Sequence, residues 1–343
     1  MHIYKLAIIG FGNVGQGFVQ ILRDQQDELA RRFDLEYKIV AVSDLLKGSI
    51  YNPDGLSPAA LLETVQASRS LETLEAANQG WDAQRTIAEA DADILVELSY
   101  TDLKTGEPAT SYIRQALEGG MHVVTTNKGP VALHYAELYN LARQKGVQIG
   151  IEGTVMSGTP AIRVGLDLLA GAGVSRVQGI LNGTTNYILT RMADGVPYAD
   201  ALAEAQSQGY AEADPTGDVE GFDAAGKVVI LANVLMNANI RMEDVDRQGI
   251  IRLTPEDITD ARAEKMCWKL IARVEKTEDG VKASVRPTLI PLTDPLASVS
   301  GPTNAITYTT ALLGDVTLIG PGAGRLATGY AILCDLLAFA RMR

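Results

Sequence analysis

The segment DPTGDVEGFDAAGK carries four carboxylates, at Asp214, Asp218, Glu220 and Asp223, ahead of Lys227. Asp223 and Lys227 are spaced i and i+4, so on a helix they share one face. The apolar run VVILANVLM follows the lysine, which predicts a largely buried helix whose charges lie at the edge of a core or cleft. The segment therefore fits a site for a cationic, polar substrate, or a helix start whose acids complement the macrodipole.

A glycine turn near the start of the chain, GFGNVG, has the G-x-G-x-x-G spacing at Gly10, Gly12 and Gly15. An apolar strand pattern precedes it, and an apolar-faced helix pattern follows it. The first glycine allows a tight turn, the second lets a pyrophosphate approach the backbone, and the third permits close helix packing. With YKIVAVSD as a second strand, the pattern predicts a dinucleotide site; a chance glycine turn is the alternative.

Asp44 ends that second strand. An acid at this position binds the 2′-hydroxyl of the adenine ribose, which favours NAD. Lys47 lies three residues further on and could instead meet the 2′-phosphate of NADP. The sequence leaves NAD and NADP open, and an exposed loop aspartate without a cofactor role is a further alternative.

A nicotinamide dehydrogenase needs a side chain that exchanges the alcohol proton, commonly His, Lys or Tyr. The histidines suggest no acid–histidine pair, because His2 is terminal, His122 enters a strand and His134 lies in a helical stretch. A lysine is therefore the expected group. Lys227 is one candidate, and Lys128 is the other because TTNKGP follows a predicted strand, at the carboxyl end where such sheets bind ligands.

The elements that position these residues follow two patterns. Over residues 1–150, strand and helix patterns alternate, with ADILVEL and MHVVTTN as apolar strands around the helical SYIRQALEGG. This alternation predicts an α/β fold with a Rossmann-type nucleotide-binding domain, whose parallel sheet has helices on both faces.

From residue 151 to about 314 the pattern predicts a second domain of sheet plus helices. The expected strands are VSRVQGILNGTTNYIL, ASVRPTLIPL and AITYTTA, and the expected helices are YADALAEAQSQ and DAAGKVVILANVLM. The last segment, about 315–343, predicts a strand, a glycine turn and an apolar helix that could pack back on the first domain.

Composition narrows the function classes. The 343 residues suit about two domains, and the net charge of -12 disfavours nucleic acid and anionic membranes as partners. The sequence contains no run of about 20 apolar residues, the length that a helix needs to span a bilayer. No export signal is visible. Cys267 and Cys334 lie in apolar surroundings and are expected to be buried free thiols, which suits a cytoplasmic protein.

Six segments together resemble the homoserine dehydrogenase family. They are GFGNVG, TTNKGP, EGTVMSGTP, GILNGTTNYIL, EADPTGDVEGFDAAGK and GPGAGRLATG. The resemblance implies reversible NAD(P)-dependent reduction of L-aspartate 4-semialdehyde to L-homoserine, a step toward threonine and methionine. It also implies that the C-terminal segment completes the first domain, and that an α+β mixed-sheet second domain binds this small-molecule substrate and forms a homodimer.

The same resemblance implies roles for individual residues. Acids would face the substrate ammonium, and a lysine would protonate the aldehyde oxygen. The catalytic residues implied are Lys227, Lys128 and Asp218. The substrate-binding residues implied are Glu212, Asp223, Gly183 and Thr184.

The cofactor and an ion also have implied positions. The cofactor-binding positions are Gly10, Gly12, Asn13, Val14, Gly15, Asp44, Lys47, Ser99, Asn127 and Gly322. EGTVMSGTP is similar to a loop that binds a monovalent cation, Na⁺ or K⁺. Its implied ligands are the carboxylate of Glu152 and the main-chain carbonyls of Val155, Ser157 and Thr159. A glycine-rich hinge is the alternative for this loop.

Other functions stay open at this point. One is a non-catalytic NADPH-binding regulator, and another is a dehydrogenase of a different amino-acid semialdehyde. Aspartate semialdehyde dehydrogenase is disfavoured because it needs a nucleophilic cysteine, and neither Cys267 nor Cys334 has a histidine nearby in sequence. The short, catalytic-only form of the family is expected. Arg325 lies within GPGAGRLATG, where the family commonly has small residues, and is expected just outside the cofactor pocket.

Overall fold

The computed structural model describes residues 3–341. The chain forms two compact units: the first runs to Gly158 and resumes at Gly324, and the second is Thr159–Ala323. The boundaries expected from the sequence lie a few residues earlier, after residue 150 and at about 315. Across residues 3–341, none of the helices combines the length and the apolar character that crossing a membrane would require.

A seven-stranded sheet forms the centre of the first unit. Its strands are β1 (Ile3–Ile9), β2 (Glu36–Asp44), β3 (Gly48–Leu56), β4 (Asn78–Gln79), β5 (Ile94–Glu97), β6 (His122–Thr125) and β7 (Ile149–Gly150). Their order is β4-β3-β2-β1-β5-β6-β7, and β2, β1, β5, β6 and β7 run parallel. The parallel core confirms the Rossmann-type prediction. The antiparallel edge of β3 and β4 was not predicted.

Helices flank this sheet. They are α1 (Asn13–Phe33), α2 (Pro58–Ser68), α3 (Ala83–Glu89), α4 (Ala109–Glu118), α5 (Lys128–Lys145) and the C-terminal helix (Arg325–Arg341). The charged segment DQQDELARRF continues α1 to Phe33. The C-terminal helix packs against α1 and buries Ile332, Leu336 and Phe339 in the same apolar cluster as β1.

The second unit contains a six-stranded mixed sheet, as the resemblance implied. Its strands are β8 (Val174–Ile180), β9 (Val245–Arg247), β10 (Met266–Thr277), β11 (Gly280–Pro291), β12 (Thr303–Thr310) and β13 (Gly314–Pro321). The order is β13-β12-β8-β10-β11-β9, antiparallel except for the β9–β11 pair. Strand β10 was not predicted from the sequence.

The helices of the second unit include the one that carries the lysine. They are α6 (Ala161–Arg163), which continues into a π-turn (Val164–Leu168), α7 (Gly183–Ala193), α8 (Tyr198–Ser207), α9 (Thr216–Val219), α10 (Phe222–Leu235) and α11 (Pro255–Ala263). Short 3₁₀ turns occur at Glu152–Thr154 in the first unit and at Met242–Asp244 and Pro295–Ser298 in the second. Helix α10 packs on β10 and β11.

One strand prediction is wrong. The sequence VSRVQGILNGTTNYIL was expected to be extended, but β8 ends at Ile180 and Gly183 begins α7. The reason is local: the Asn182 side chain accepts a hydrogen bond from the Thr185 N–H at 2.9 Å. This is an N-cap, which satisfies a helix donor that would otherwise lack a partner.

Candidate active site

Lys227 lies near the middle of α10 and is only 8% exposed. Its Nζ donates to Asp223 Oδ2 at 2.7 Å and to the main-chain oxygen of Leu181 at 2.6 Å. The pair on one helix face was predicted, and the Leu181 carbonyl just after β8 adds a contact from outside the helix. A buried ammonium with a carboxylate partner is held in one place, as a group that transfers a proton must be.

Asn182 joins two of the predicted acids. Its Nδ2 donates to Asp218 Oδ1 at 2.7 Å and to Asp223 Oδ2 at 3.0 Å, while its Oδ1 caps α7. Asp218, Asp223 and Lys227 thus meet at the start of α7. Asn182 was not among the predicted site residues, although an asparagine directly before GTTN fits an N-cap signal.

The pKa of the Asp218 carboxyl is raised above its usual value. Burial is the main cause, and the negative charge of Asp223 adds to it. Hydrogen bonds from Asn182 and Thr184 and the charge of Lys227 act in the opposite direction. Two carboxylates this close resist simultaneous ionisation, so a cationic group arriving beside them would be favoured.

The remaining acids of the segment lie apart from the lysine's hydrogen bonds. Glu212 is on an exposed loop, where its main-chain oxygen accepts from Gln206 at 3.0 Å. Asp214 is exposed and accepts from the Thr216 N–H at 3.1 Å. Glu220 forms an ion pair of 3.9 Å with Arg247.

Gly183 and Thr184 are the first two residues of α7. Thr184 donates its hydroxyl to the Tyr210 carbonyl at 2.6 Å. The first N–H groups of a helix have no partner within the helix. The N-cap residue, Asn182, accepts a hydrogen bond from the Thr185 N–H. The N–H groups of Gly183 and Thr184 are therefore the donors that a ligand carboxylate could meet.

The dinucleotide turn of the first unit joins β1 to α1. Gly10 has a φ of +96°, and a Cβ there would lie 2.3 Å from the Leu98 carbonyl oxygen, so only glycine fits. Gly12 faces open space. The first turn of α1, which starts at Asn13 and continues through Val14 and Gly15, contains no acid. A pyrophosphate therefore fits at this helix start.

The Asp44 side chain is hydrogen-bonded to this turn. Its Oδ2 accepts from the Phe11 N–H at 2.7 Å, and its Oδ1 accepts from the N–H groups of Leu46 and Lys47 at 3.0 Å each. Burial alone would raise the pKa of Asp44, but these hydrogen bonds and the Lys47 charge outweigh it and hold the pKa below its usual value. The carboxylate is therefore ionised and fixed at the end of β2, where a ribose would meet it.

A cleft of about 750 Å³ lies between α1, α2 and the β2–β3 turn. Its walls include four cationic side chains, Arg23, Lys47, Arg69 and Arg325. Arg325, the first residue of the C-terminal helix, therefore lines the same cleft as Lys47. This cleft offers positive charge near the ribose position, opposite in sign to Asp44.

The carboxyl ends of β5 and β6 are linked by Glu97, which the sequence analysis missed. Glu97 is fully buried and accepts from the Ser99 N–H at 2.8 Å, the Ser99 hydroxyl at 2.5 Å and the Thr125 hydroxyl at 2.9 Å. Burial raises its pKa, against the effect of these hydrogen bonds. An acid closing the apolar strand ADILVEL was the available signal.

Lys128 is the first residue of α5. Asn127 caps this helix by accepting from the Gly129 N–H at 3.1 Å, and its own N–H donates to the Thr125 hydroxyl at 2.9 Å. Glu97, Thr125 and Asn127 therefore form a chain of contacts that fixes the start of α5. Lys128 and Lys227 belong to different units.

The predicted ion loop is a tight turn. Glu152 is 1% exposed, Val155 is fully buried, and Met156 and Ser157 both have left-handed backbones, with φ of 58° and 54°. Thr159 opens the second unit, and its hydroxyl donates to the Pro321 carbonyl at 3.0 Å. Among residues 3–341 there is no group of three or more His, Cys, Asp or Glu suited to a metal. An ion here would depend on main-chain carbonyls with one buried carboxylate, a hard-oxygen set.

The histidines and cysteines within residues 3–341 lie outside these clusters. His122 accepts from the Gln148 N–H at 3.1 Å, and His134 lies 3.7 Å from Glu137 on an exposed helix surface. His2 lies outside the described residues. Cys267 and Cys334 are free thiols, as expected, but half-buried rather than fully buried.

Comparisons with known proteins agree with the sequence resemblance. The family model described as homoserine dehydrogenase matches residues 160–337, and the homoserine dehydrogenase NAD binding domain matches residues 10–152. The chain belongs to the homoserine dehydrogenase family. It is 46% identical to the NAD(+)-dependent homoserine dehydrogenase of Pseudomonas canavaninivorans over 97% of this chain and 95% of that one.

Solved structures of the family are similar throughout. A homoserine dehydrogenase described as putative, from Archaeoglobus fulgidus, is 38% identical and has a TM-score of 0.89, covering 98% of this chain and 99% of that chain. A hyperthermophilic archaeal homoserine dehydrogenase in complex with NADPH is 32% identical, with a TM-score of 0.84, and covers 100% of this chain and 99% of its own.

These findings confirm the predicted activity class. As a homoserine dehydrogenase, the chain is an NAD(P)-dependent oxidoreductase that acts on a CH–OH group, interconverting L-homoserine and L-aspartate 4-semialdehyde. The activity belongs to the aspartate-derived route to threonine and methionine. The non-catalytic regulator and the dehydrogenase of another semialdehyde are the disfavoured alternatives.

Proposed function

We propose that this homoserine dehydrogenase uses Lys227 to exchange the hydroxyl proton of homoserine and prefers NAD to NADP. The observation that carries the first part is the position of the Lys227 Nζ, 2.7 Å from Asp223 Oδ2 and 2.6 Å from the Leu181 carbonyl oxygen. Both partners fix the amine at the start of α7, beside the acids that suit an amino-acid substrate.

The proposed substrate has three polar ends, and the second unit offers a match for each. Asp223, with Glu212 and Asp218 nearby in sequence, supplies negative charge for the ammonium. The N–H groups of Gly183 and Thr184 at the start of α7 suit the carboxylate. Lys227 remains for the oxygen that changes between hydroxyl and aldehyde.

The proton then moves between Lys227 and that oxygen. NAD(P), when bound, exchanges a hydride with the carbon that carries the oxygen. In the reducing direction Lys227 donates a proton as negative charge develops on the aldehyde oxygen; in the oxidising direction the amine accepts it. Lys128, in the first unit, is the proposed second catalytic lysine. It begins the helix that Asn127 caps.

The NAD preference rests on Asp44. A 2′-phosphate would approach an ionised carboxylate that is already bound to the glycine turn, whereas a ribose hydroxyl can donate to it. The Pseudomonas canavaninivorans relative is named NAD(+)-dependent, which supports the proposal. The cations Arg23, Lys47, Arg69 and Arg325 and the NADPH complex of the archaeal neighbour favour the other cofactor.

Absorbance at 340 nm with L-homoserine and either NAD or NADP tests both parts of the proposal. We expect turnover with a higher kcat/KM for NAD, and Asp44→Ala should reduce that preference. Cofactor binding without turnover would instead indicate the non-catalytic regulator. A higher kcat/KM for NADP would contradict the role of Asp44.

The two units take the roles that the resemblance implied. In this proposal the first unit, with its C-terminal helix, binds the cofactor at Gly10, Gly12, Asn13, Val14, Gly15, Asp44, Lys47, Ser99 and Asn127. The second unit binds the substrate and forms a homodimer, and Gly322, which follows β13, is the cofactor-binding position proposed within that unit. The protein acts in the cytoplasm, on a small molecule rather than on nucleic acid.

Support for the homodimer comes from one face of the second sheet. Gln178 pairs with Arg273 in the ladder, and Arg176 is two residues from Gln178 on the same face. Within residues 3–341, the buried Nε atoms of both arginines and the Oε1 of Gln178 have no hydrogen-bond partner. A second copy could supply those partners. Light scattering after gel filtration should give a dimer mass, and a monomer at micromolar concentration would contradict it.

The ion is the last element of the proposal. Glu152, Val155, Ser157 and Thr159 are the proposed ligands of Na⁺ or K⁺. Enzyme is first assayed in a buffer whose only cation is a large organic one. Addition of Na⁺ or K⁺ should then raise its activity. Equal activity in all three salts would favour a plain hinge.

A further inference from the structure

One fully buried amide in the second unit has no hydrogen-bond partner. Asn304 lies near the start of β12 and is 0% exposed. Among the described residues, neither its Nδ2 nor its Oδ1 has a partner. Burying a donor and an acceptor without replacing their water contacts destabilises a fold, so native proteins rarely do it. Residues 3–341 do not satisfy this amide, which points to a ligand as its partner.

The neighbours of Asn304 belong to the proposed substrate region. In the sheet, Ala305 pairs with Ile180, which places Asn304 opposite Leu181, the residue whose carbonyl holds Lys227. The Oδ1 of Asn304 lies 3.4 Å from the position that a Cβ on Gly183 would take. The amide is therefore beside the first residue of α7, on the strand next to the one that leads into it.

A glycine turn covers the amide on its other side. A Cβ on Gly322 would lie 2.1 Å from the Nδ2 of Asn304, so the position tolerates only glycine while the amide stays in place. Pro321 and Ala323, on either side of Gly322, are exposed. The cover is thus a surface turn rather than packed core, and a ligand reaches the amide only if this turn moves.

We propose that Asn304 is a further substrate-binding residue, which recognises the amino-acid end of homoserine. Its Nδ2 donates to the substrate carboxylate together with the N–H groups of Gly183 and Thr184, and its Oδ1 accepts from the substrate ammonium. The α-carbon of an amino acid carries both a carboxylate, which accepts hydrogen bonds, and an ammonium, which donates them. The side-chain amide of Asn304 offers the complementary donor, Nδ2, and acceptor, Oδ1. A simple anion would satisfy only one of the two amide atoms.

This inference rests on the proposed homoserine activity, and a pair of variants tests it separately. Asn304→Leu removes both polar atoms and keeps the number and branching of the side-chain heavy atoms. Asn233→Leu is the matched control, because the Asn233 amide on α10 is satisfied on both sides by Ile240, at 3.0 Å each. Both variants are compared with wild type for thermal stability without substrate and for steady-state kinetics at 340 nm.

The two substitutions should have opposite effects. Asn304→Leu should leave Tm unchanged or higher, because no hydrogen bond is lost, and should raise KM for homoserine about 10- to 100-fold. KM for NAD should stay within about twofold. Asn233→Leu should lower Tm and leave KM for homoserine unchanged. If Asn304→Leu does not fold, Asn304→Ser, which replaces the amide with a single hydroxyl, should give an intermediate KM.

Two results would overturn the inference. One is an unchanged KM for homoserine in both Asn304 variants. The other is a rise in KM confined to NAD, which would mean that Asn304 acts on the Gly322 turn and the cofactor instead. Failure of the proposed function is distinguishable from either, because wild-type enzyme would then show no turnover of homoserine.

Discussion

Two buried lysines of the second unit have different surroundings. Lys227 is 8% exposed and donates to a carboxylate, Asp223, at 2.7 Å. Lys269, on β10, is 5% exposed and donates only to neutral oxygens, Asn186 Oδ1 at 3.1 Å and the Val299 carbonyl at 2.6 Å. Within residues 3–341, no carboxylate forms an ion pair with Lys269.

Burial of a lysine therefore does not by itself indicate catalysis in this protein. Lys227 lies beside two acids that share Asn182, so the same cluster can bind a cation and move a proton. Lys269 links α7 to the segment before β12, and burial lowers its pKa while the nearby Cys267 thiol acts weakly against this. Its contacts are those of a structural link. The same substitution at both positions can test this contrast.

The largest effect is expected for Lys227→Met, which keeps the apolar stem and removes the amine. Because this lysine is the proposed proton-exchanging group, kcat should fall by about 10² to 10⁴. Affinity for NAD, measured by fluorescence titration, should change less than about twofold. Retention of wild-type kcat would remove the assigned role and with it the contrast between the two lysines.

A smaller effect is expected for Asp223→Asn. The substitution keeps the shape but removes the charge that the substrate ammonium would meet, so KM for homoserine should rise about 10- to 100-fold. Asp214→Asn is the matched control, since Asp214 is exposed and bonds only its own loop. A loss of stability without a change in KM would show that Asp223 serves the helix alone.

The parts of the site that the sequence predicts are local in the chain. The Asp223–Lys227 pair follows from helix spacing, and GFGNVG is a single turn between a strand and a helix. Asn182 was missed because its contacts with Asp218 and Asp223 cross 36 and 41 residues. Such contacts depend on how β8 and α10 meet, which periodicity does not encode.

The errors in the fold prediction have a different cause, which is local in the chain. The β-branched and aromatic residues of GTTNYIL favour a strand, but the cap formed by Asn182 starts a helix there. Strand β10 escaped prediction because Leu270, Ile271 and Ala272 are buried in succession, which gives no alternation. Lys269, within this strand, accordingly gave no signal.

The smallest effect on activity is expected for Lys269→Met. The Val299 carbonyl keeps the Asn186 amide at 3.2 Å as a donor, so kcat and KM should stay within about threefold of wild type. A fall in kcat comparable to that of Lys227→Met would show that the two lysines are functionally equivalent.

Stability should depend on pH in a way that identifies Lys269. Its pKa is lowered from the usual 10.5 mainly by burial. Between the folded-state pKa and 10.5 the unfolded chain binds more protons, so the contribution of Lys269 to stability rises with pH across this window. Urea unfolding of wild type and Lys269→Met at a series of pH values measures the difference. The stability of the variant relative to wild type should be highest below the window and fall as pH rises through it; a constant difference would mean that Lys269 keeps its ordinary pKa and that a charged amine is tolerated among neutral oxygens.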